Sequence, residues 1–383
     1  MGKKLTGLLL LLMLIILCTS VVSAENSLLI QGISDYYNGN YKQAVENFEK
    51  LLADDRENID AVYYQTLAFL ELNDIARARE NISFLNERGY NVGMIHWKLG
   101  ELYLNKNQYY DSPFYNEAKK ELEKARELGI STAGLHSYLA LAYQGLGYIE
   151  KAAEEFELAI EKGQLIDDYI SLASIYKETG KYDRALEIYE KAVQESPDNV
   201  SIYLNMGDIY LEKGEYSRAI DVLKKGVNLK SSMVALKMNL ALAYMHNEDF
   251  EEAKKYFMEV IDDNENIYQA YFYLGEIYNK IENNHELAVN YYDQAISYNK
   301  NYVRAYLALG DLYLEREETY KAMAQYLKAL ENNENYPDAH FRLALAYIQM
   351  DMKTAAIEEL RKTIHLDNTN NEARLLLNKL QEE

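Results

Sequence analysis

The side chains able to do chemistry are few and far apart. Histidine occurs six times in 383 residues, at 96, 136, 246, 285, 340 and 365, and no two stand four apart with a glutamate between them, as a hydrolytic zinc helix requires. Two acidic runs, DDNEN at 262–266 and DNTNNE at 367–372, supply the oxygen ligands of a calcium loop. They lack the glycine and the terminal glutamate that such a loop places at fixed offsets, and they read as solvated turns. No G-x-S-x-G, phosphate-cradling glycine loop or basic patch interleaved with aromatics is present. The pattern predicts no enzyme, no cofactor and no metal.

Charge narrows the partners. The formal net charge is -21, which disfavours a nucleic acid held through its phosphates and an anionic membrane surface. Apolar partners carrying basic residues are the complement. Hydrophobic residues make up 49% of the chain and proline occurs three times, a balance that favours a folded, helix-rich protein over a disordered one.

The N-terminus carries Lys3 and Lys4, an apolar run from Leu5 to Leu17, and Val22-Ser23-Ala24 before Glu25. This is the order of a secretory signal peptide, 1–24. Cleavage after Ala24 would take the formal charge from -21 to -23 and remove Cys18, the single cysteine. The expected location is therefore outside the cytoplasm, in the periplasm or cell envelope. Two alternatives compete: residues 5–24 are long enough for an uncleaved membrane anchor, and Cys18 could carry a lipid, although bulky Leu17 precedes it. Gly2 and Thr6 match the spacing of a myristoylation motif, which the apolar run behind them makes coincidental.

The remainder keeps a strict period. Alanine recurs at 44, 78, 118, 152, 185, 219, 253, 288, 322 and 356, with every gap between 33 and 35 residues except the 40 from Ala78 to Ala118. Twelve residues before the alanine stands a small residue in regular units, such as Ala173, Gly207 or Gly310, and four after it a large apolar one, such as Tyr189, Leu223 or Tyr326. Apolar positions recur at three and four within two runs of about a dozen residues, split by polar breaks such as ETGKY and EKGEY. Glycine there can close the first helix in a left-handed conformation. Each period is a helix-turn-helix, and small residues at the crossing let the two backbones approach.

This pattern resembles the tetratricopeptide repeat. Residues 166–199 match it best, with Tyr169, Leu172, Ala173, Tyr176, Ala185, Tyr189, Ala192 and Pro197 in the family's slots. Units are expected to begin at 25, 59, 93, 133, 166, 200, 234, 268, 303 and 337, followed by a capping helix over 371–383. His96, His136 and His340 occupy the slot where the family has tryptophan. The resemblance implies an all-α fold, a right-handed superhelical α-solenoid whose first helices line a concave groove that holds protein segments. Carried over position by position, the groove residues are Tyr63, Trp97, Glu101, Leu104, Asp208, Met238, Phe272, Glu276, Asp311 and Phe341. They make an apolar, acidic wall suited to protein or peptide partners that are apolar with some lysine or arginine. The competing reading is that such side chains pack between adjacent first helices. Chaperone-binding members grip a C-terminal carboxylate with lysine at the fifth and asparagine at the ninth position, and no unit here has either.

The long gap places six extra residues in the turn of the third unit, between Gly100 and Ala118. Tyr109, Tyr110, Phe114 and Tyr115 surround Pro113 there, unusual choices for a solvated loop. They form a candidate side-arm that folds back on the array or reaches a partner, against the plainer reading of a neutral turn insertion. The functional expectation is an exported, non-enzymatic interaction scaffold. Its alternative is a membrane- or lipid-anchored structural component of an envelope assembly or secretion complex.

Overall fold

The computed structural model describes residues 24–106 and 114–382; the leader, Cys18, Tyr109 and Tyr110 lie outside the described residues. Among the described residues there are 21 α-helices and no strand. Two compact units divide the chain after Ser196. The first contains α1 (Ala24–Tyr37), α2 (Tyr41–Asp54), α3 (Ile59–Glu71), α4 (Ile75–Glu87), α5 (Gly93–Lys106), α6 (Tyr115–Glu127), α7 (Ala133–Gly145), α8 (Ile149–Gly163), α9 (Ile166–Glu178) and α10 (Tyr182–Glu195). The second contains α11 (Val200–Glu212), α12 (Tyr216–Leu229), α13 (Val234–His246), α14 (Phe250–Asp263), α15 (Tyr268–Lys280), α16 (His285–Tyr298), α17 (Val303–Glu315), α18 (Thr319–Asn332), α19 (Pro337–Gln349), α20 (Lys353–Leu366) and α21 (Asn371–Glu382). No described helix is long and apolar enough to cross a membrane.

From α1 to α20 odd and even helices pair as hairpins, and the sequence explains several of their ends. Asn58, Asp74, Thr132 and Asn284 cap their helices by accepting from the amides of Ala61, Arg77, Leu135 and Leu287. Pro337 opens α19 in the first turn, where no amide hydrogen is needed. At the hairpin turn the chain passes through a left-handed residue, Gly180 at φ 71° or Gly214 at φ 71°. The next amide then reaches back across the helix end, Lys181 to the Tyr176 carbonyl at 2.7 Å and Glu215 to that of Tyr210 at 2.8 Å. Glu248, Glu317 and Asp351 occupy the same turn position at φ 64°, 59° and 59° without glycine's freedom.

The periodic alanines are all fully buried at the hairpin crossings. Opposite them the small–large pairs interlock. A Cβ built on Gly275 would lie 2.6 Å from the Tyr292 ring, and one on Gly310 would lie 2.4 Å from that of Tyr326. Gly32 faces Phe48, Gly100 faces Leu122 and Gly207 faces Leu223 in the same way. Tyr189, Tyr292, Tyr326, Phe48, Phe156 and Phe257 are the largest fully buried side chains, so this interlock is the core of each hairpin.

Three histidines of the tryptophan slot are structural. Nδ1 of His136 lies 2.7 Å from Glu155, that of His340 2.5 Å from Glu359, and that of His96 2.6 Å from Glu121. Arg126 joins Glu155 at 2.7 Å and Arg79 joins Glu121 at 3.2 Å, each from the preceding hairpin. His246 stacks on Tyr216 with centroids 5.1 Å apart, and His285 faces Asn279 at 3.0 Å. Among the described residues no cluster of three metal-ligating side chains occurs. The terminal helix α21 lays Leu376, Leu377 and Leu380 on Ala344, Leu360 and Ala373, and leaves Leu375 70% exposed.

Candidate partner-binding faces of the two units

The first helix of each hairpin carries the residues expected to face a partner, and the structure sorts them by what they already touch. In the first unit Trp97 is half-buried on α5, its ring 6.4 Å from that of Tyr138 and within 3.2 Å of where a Cβ on Gly134 would stand. Its indole nitrogen is buried and has no partner among the described residues. One turn on, Glu101 accepts from the Tyr138 hydroxyl at 2.8 Å and holds Lys98 at 3.0 Å. Lys98 in turn reaches Glu71 at 3.4 Å. Leu104 is half-buried further along α5, and Tyr63 packs between Tyr64 and Tyr90 with centroids 5.4 and 5.3 Å away. Phe114 caps α6 with its ring 6.1 Å from Tyr103, and the Tyr115 ring lies against Gly145 of α7.

In the second unit Phe272, Glu276 and Asp311 come together around a cavity of about 250 Å³ formed by α15, α17 and α19. Lys280, Arg304, Leu307, Glu315, Tyr336, Asp338 and Arg342 are among the other residues of its walls. Phe272 itself is only 3% exposed. Tyr302 stands edge-on to it at 5.3 Å, Tyr292 lies 5.9 Å away, and the Arg304 guanidinium covers it at 4.8 Å. It is a floor of the cavity and a member of the core, not a free anchor. Met238 and Phe341 are half-buried outside this cavity, Phe341 against the cluster beneath α21.

Two of the four ninth-position acids turn inward. Glu276 accepts from the hydroxyl of fully buried Tyr292 at 2.7 Å, and Asp311 accepts from that of Tyr326 at 2.8 Å. Ser174 stands in the same relation to Tyr189, oxygen to oxygen 3.3 Å. Where the buried ring is phenylalanine, at 48, 156 and 257, the ninth residue is Ile33, Leu141 or Leu242. In these hairpins polarity follows the need of a buried hydroxyl for an acceptor, whereas Glu101 and Asp208 stand in hairpins whose buried large residue is Leu122 or Leu223. Burial and the Glu276 carboxylate push the Tyr292 hydroxyl far above its ordinary range, which keeps it a neutral donor. The outer oxygens are also engaged: Glu276 by Lys280, Asp311 by Arg342 and Asp208 by Asn239. Asp311 and Arg342 are one repeat apart, so the contact ties neighbouring hairpins.

Charge at the mouth of the cavity is consequently set by other groups. Glu315, Asp338 and Arg304 are exposed there, and none has an ion-pair partner among the described residues. Arg304 and Arg342 were absent from the groove residues read from the sequence. Their signal was their place at the second and sixth positions of their units, on the face that the fifth and ninth positions share.

Comparison with known proteins agrees with this architecture. Family models described as tetratricopeptide repeat match residues 31–82, 177–232, 234–266, 268–302 and 337–370, and one described as TPR repeat matches 310–351. Together they span more than half of the chain, which belongs to the tetratricopeptide repeat family. The mouse BBSome complex member BBS4 is 34% identical over 88 residues, 23% of this chain and 16% of that protein. Its Drosophila melanogaster homolog is 32% identical over 53 residues, 14% of this chain and 11% of that protein. The matched region spans under a fifth of either relative. A tetratricopeptide repeat protein structure from Parabacteroides merdae superposes with a TM-score of 0.52 at 19% identity, covering 66% of this chain and 99% of that one. The fold defines a scaffold for protein–protein interaction.

Proposed function

We propose that this protein is an exported, non-enzymatic scaffold of the cell envelope, whose first-helix faces hold apolar, basic segments of partner proteins. The observation that carries the reading is the cavity between α15, α17 and α19: an aromatic floor, Phe272, under a charged mouth where Glu315 and Asp338 await cations. In the first unit half-buried Trp97 and Glu101 form a similar pairing of ring and acid, bridged by the chain's own Lys98, which a partner's cation would replace. The chain's net charge of -21 supports a basic partner. Export rests on the order of charges, apolar run and small residues before Glu25.

The test is capture of partners from an envelope extract by the purified protein, compared with Trp97→Ala and Glu315→Lys variants of matched helicity and thermal stability. Partner recovery should fall at least severalfold for one variant or both. Equal recovery of every partner would remove these faces from the binding surface. Mass spectrometry of the protein from its native membrane or periplasmic fraction tests export separately. A chain beginning at Glu25 supports it, whereas an intact Met1 or an acylated Cys18 favours the anchored alternative.

A further inference from the structure

We propose that the tyrosine cluster at the start of the first unit is a cation-recognition patch that seats a lysine or arginine side chain of a partner. This deepens the scaffold reading and rests on it. Tyr37, 53% exposed at the end of α1, has its ring 5.3 Å from Tyr36 and 6.3 Å from Tyr64. Tyr64 continues to Tyr63 at 5.4 Å, Tyr63 to Tyr90 at 5.3 Å, and Tyr36 to Tyr41 at 5.7 Å. Six rings from α1, α2, α3 and the loop after α4 therefore form one connected surface. Burial pushes the hydroxyls of Tyr36, Tyr63 and Tyr64 upward, so they stay neutral and what they offer is ring face and hydroxyl dipole.

Elsewhere several rings carry one of the chain's own cations. Arg77 lies 4.3 Å over Phe69, Arg88 3.6 Å over Phe84, Arg184 4.5 Å over Tyr176 and Arg304 4.8 Å over Phe272. Among the described residues no lysine or arginine lies over any of the six tyrosines. Negative charge flanks them on both sides. Asp60 is exposed, adds to burial in raising the Tyr90 hydroxyl through its charge and a hydrogen bond, and has no ion-pair partner among the described residues. On the other side Glu71 acts on Tyr36 and Tyr41; its ion-pair partner Lys98, shared with Glu101, acts on Tyr41 in the opposite sense, so the open end of the patch is the one beside Asp60. Ring quadrupoles and surplus carboxylate both attract a cation, and the apolar ring surface suits the methylene stem that carries it. A purely aliphatic side chain would use the rings but not Asp60.

The test titrates the full-length chain by calorimetry with short neutral peptides that hold one variable residue: arginine, its uncharged isostere citrulline, or leucine. The arginine peptide should bind about fivefold tighter than the citrulline peptide. Tyr37→Ala and Asp60→Asn should each erase that difference, while Tyr320→Ala, at an exposed tyrosine of the second unit, should preserve it. Equal affinity for arginine and citrulline peptides would overturn the proposal in favour of an apolar occupant. An equal loss with Tyr320→Ala would overturn it in favour of diffuse attraction by the acidic chain. If the arginine preference is absent while partner capture still depends on Trp97 or Glu315, the patch fails and the scaffold reading stands.

Discussion

The hydroxyl of Tyr292 donates to the carboxylate of Glu276 at 2.7 Å, from a ring with no solvent exposure to a residue on the wall of the cavity. One contact thus links the core of a hairpin to the face it shows a partner. It also determines which mutations are informative.

Tyr292→Phe should cost about 1 kcal/mol, and Glu276→Leu about 1–3 kcal/mol because it strands a buried hydroxyl. Their combination recreates the Phe–Leu pairing found at Phe156 and Leu141. The double variant should therefore be more stable than the sum of the single losses, a difference that urea denaturation in a double-mutant cycle measures.

Glu155 is buried between His136 and Arg126. Glu155→Ala removes the acceptor of both and should destabilise the first unit by about 3 kcal/mol, while Glu155→Gln, which keeps an oxygen, should lose less. Denaturation of the two variants beside wild type checks the order.

Backbone strain at the hairpin turns gives a test in the opposite direction. Glu317 sits at φ 59° where Gly214 sits at φ 71°. Glu317→Gly should raise stability by about 0.5–1 kcal/mol, and Gly214→Ala should lower it by about 1 kcal/mol. A thermal melt with the wrong sign for either would show that the turn relaxes around its residue.

Asp168 is buried on α9, and burial raises its carboxyl above the ordinary value despite the hydrogen bond from Ser137 at 2.8 Å. The folded state then holds the proton more readily than the unfolded one. Stability contributed by this group is present at pH below the unfolded value and is lost as pH rises through the folded one. Asp168→Asn should flatten that decline above about pH 4 and be no less stable than wild type at neutral pH. Urea midpoints measured across the acid range test it.

The repeat was legible because its signal is local and redundant. Ala185, Ala219 and their equivalents mark crossings that admit no larger side chain, and the helices beginning at Ile166, Val200 and Val234 follow from the same phase. The wall was less legible. Glu276 and Asp311 read as free acids because their donors, Tyr292, Tyr326 and Arg342, stand 15 to 31 residues away and meet them only after folding. The clue was present in the alternation of tyrosine with a polar ninth residue and phenylalanine with an apolar one. Phe272 read as an anchor because one helical face cannot reveal that Tyr302 and Arg304 of the next hairpin will cover it.

The small–large interlock bears on how so repetitive a chain avoids pairing with the wrong part of itself. Gly310 admits the Tyr326 ring where an alanine would collide, whereas Ala241 stands opposite the smaller Phe257 and Gly207 opposite Leu223. Ala173 stands opposite Tyr189 in the first unit, so alanine does not by itself exclude the ring, but a helix carrying Leu223 would leave a hole against Gly310. Within the second unit the pairing thus differs between most hairpins, α15/α16 and α17/α18 sharing the glycine–tyrosine form. Where the pairings differ, a helix set against another hairpin's mate would pack less well than against its own, so those differences act as addresses within the array.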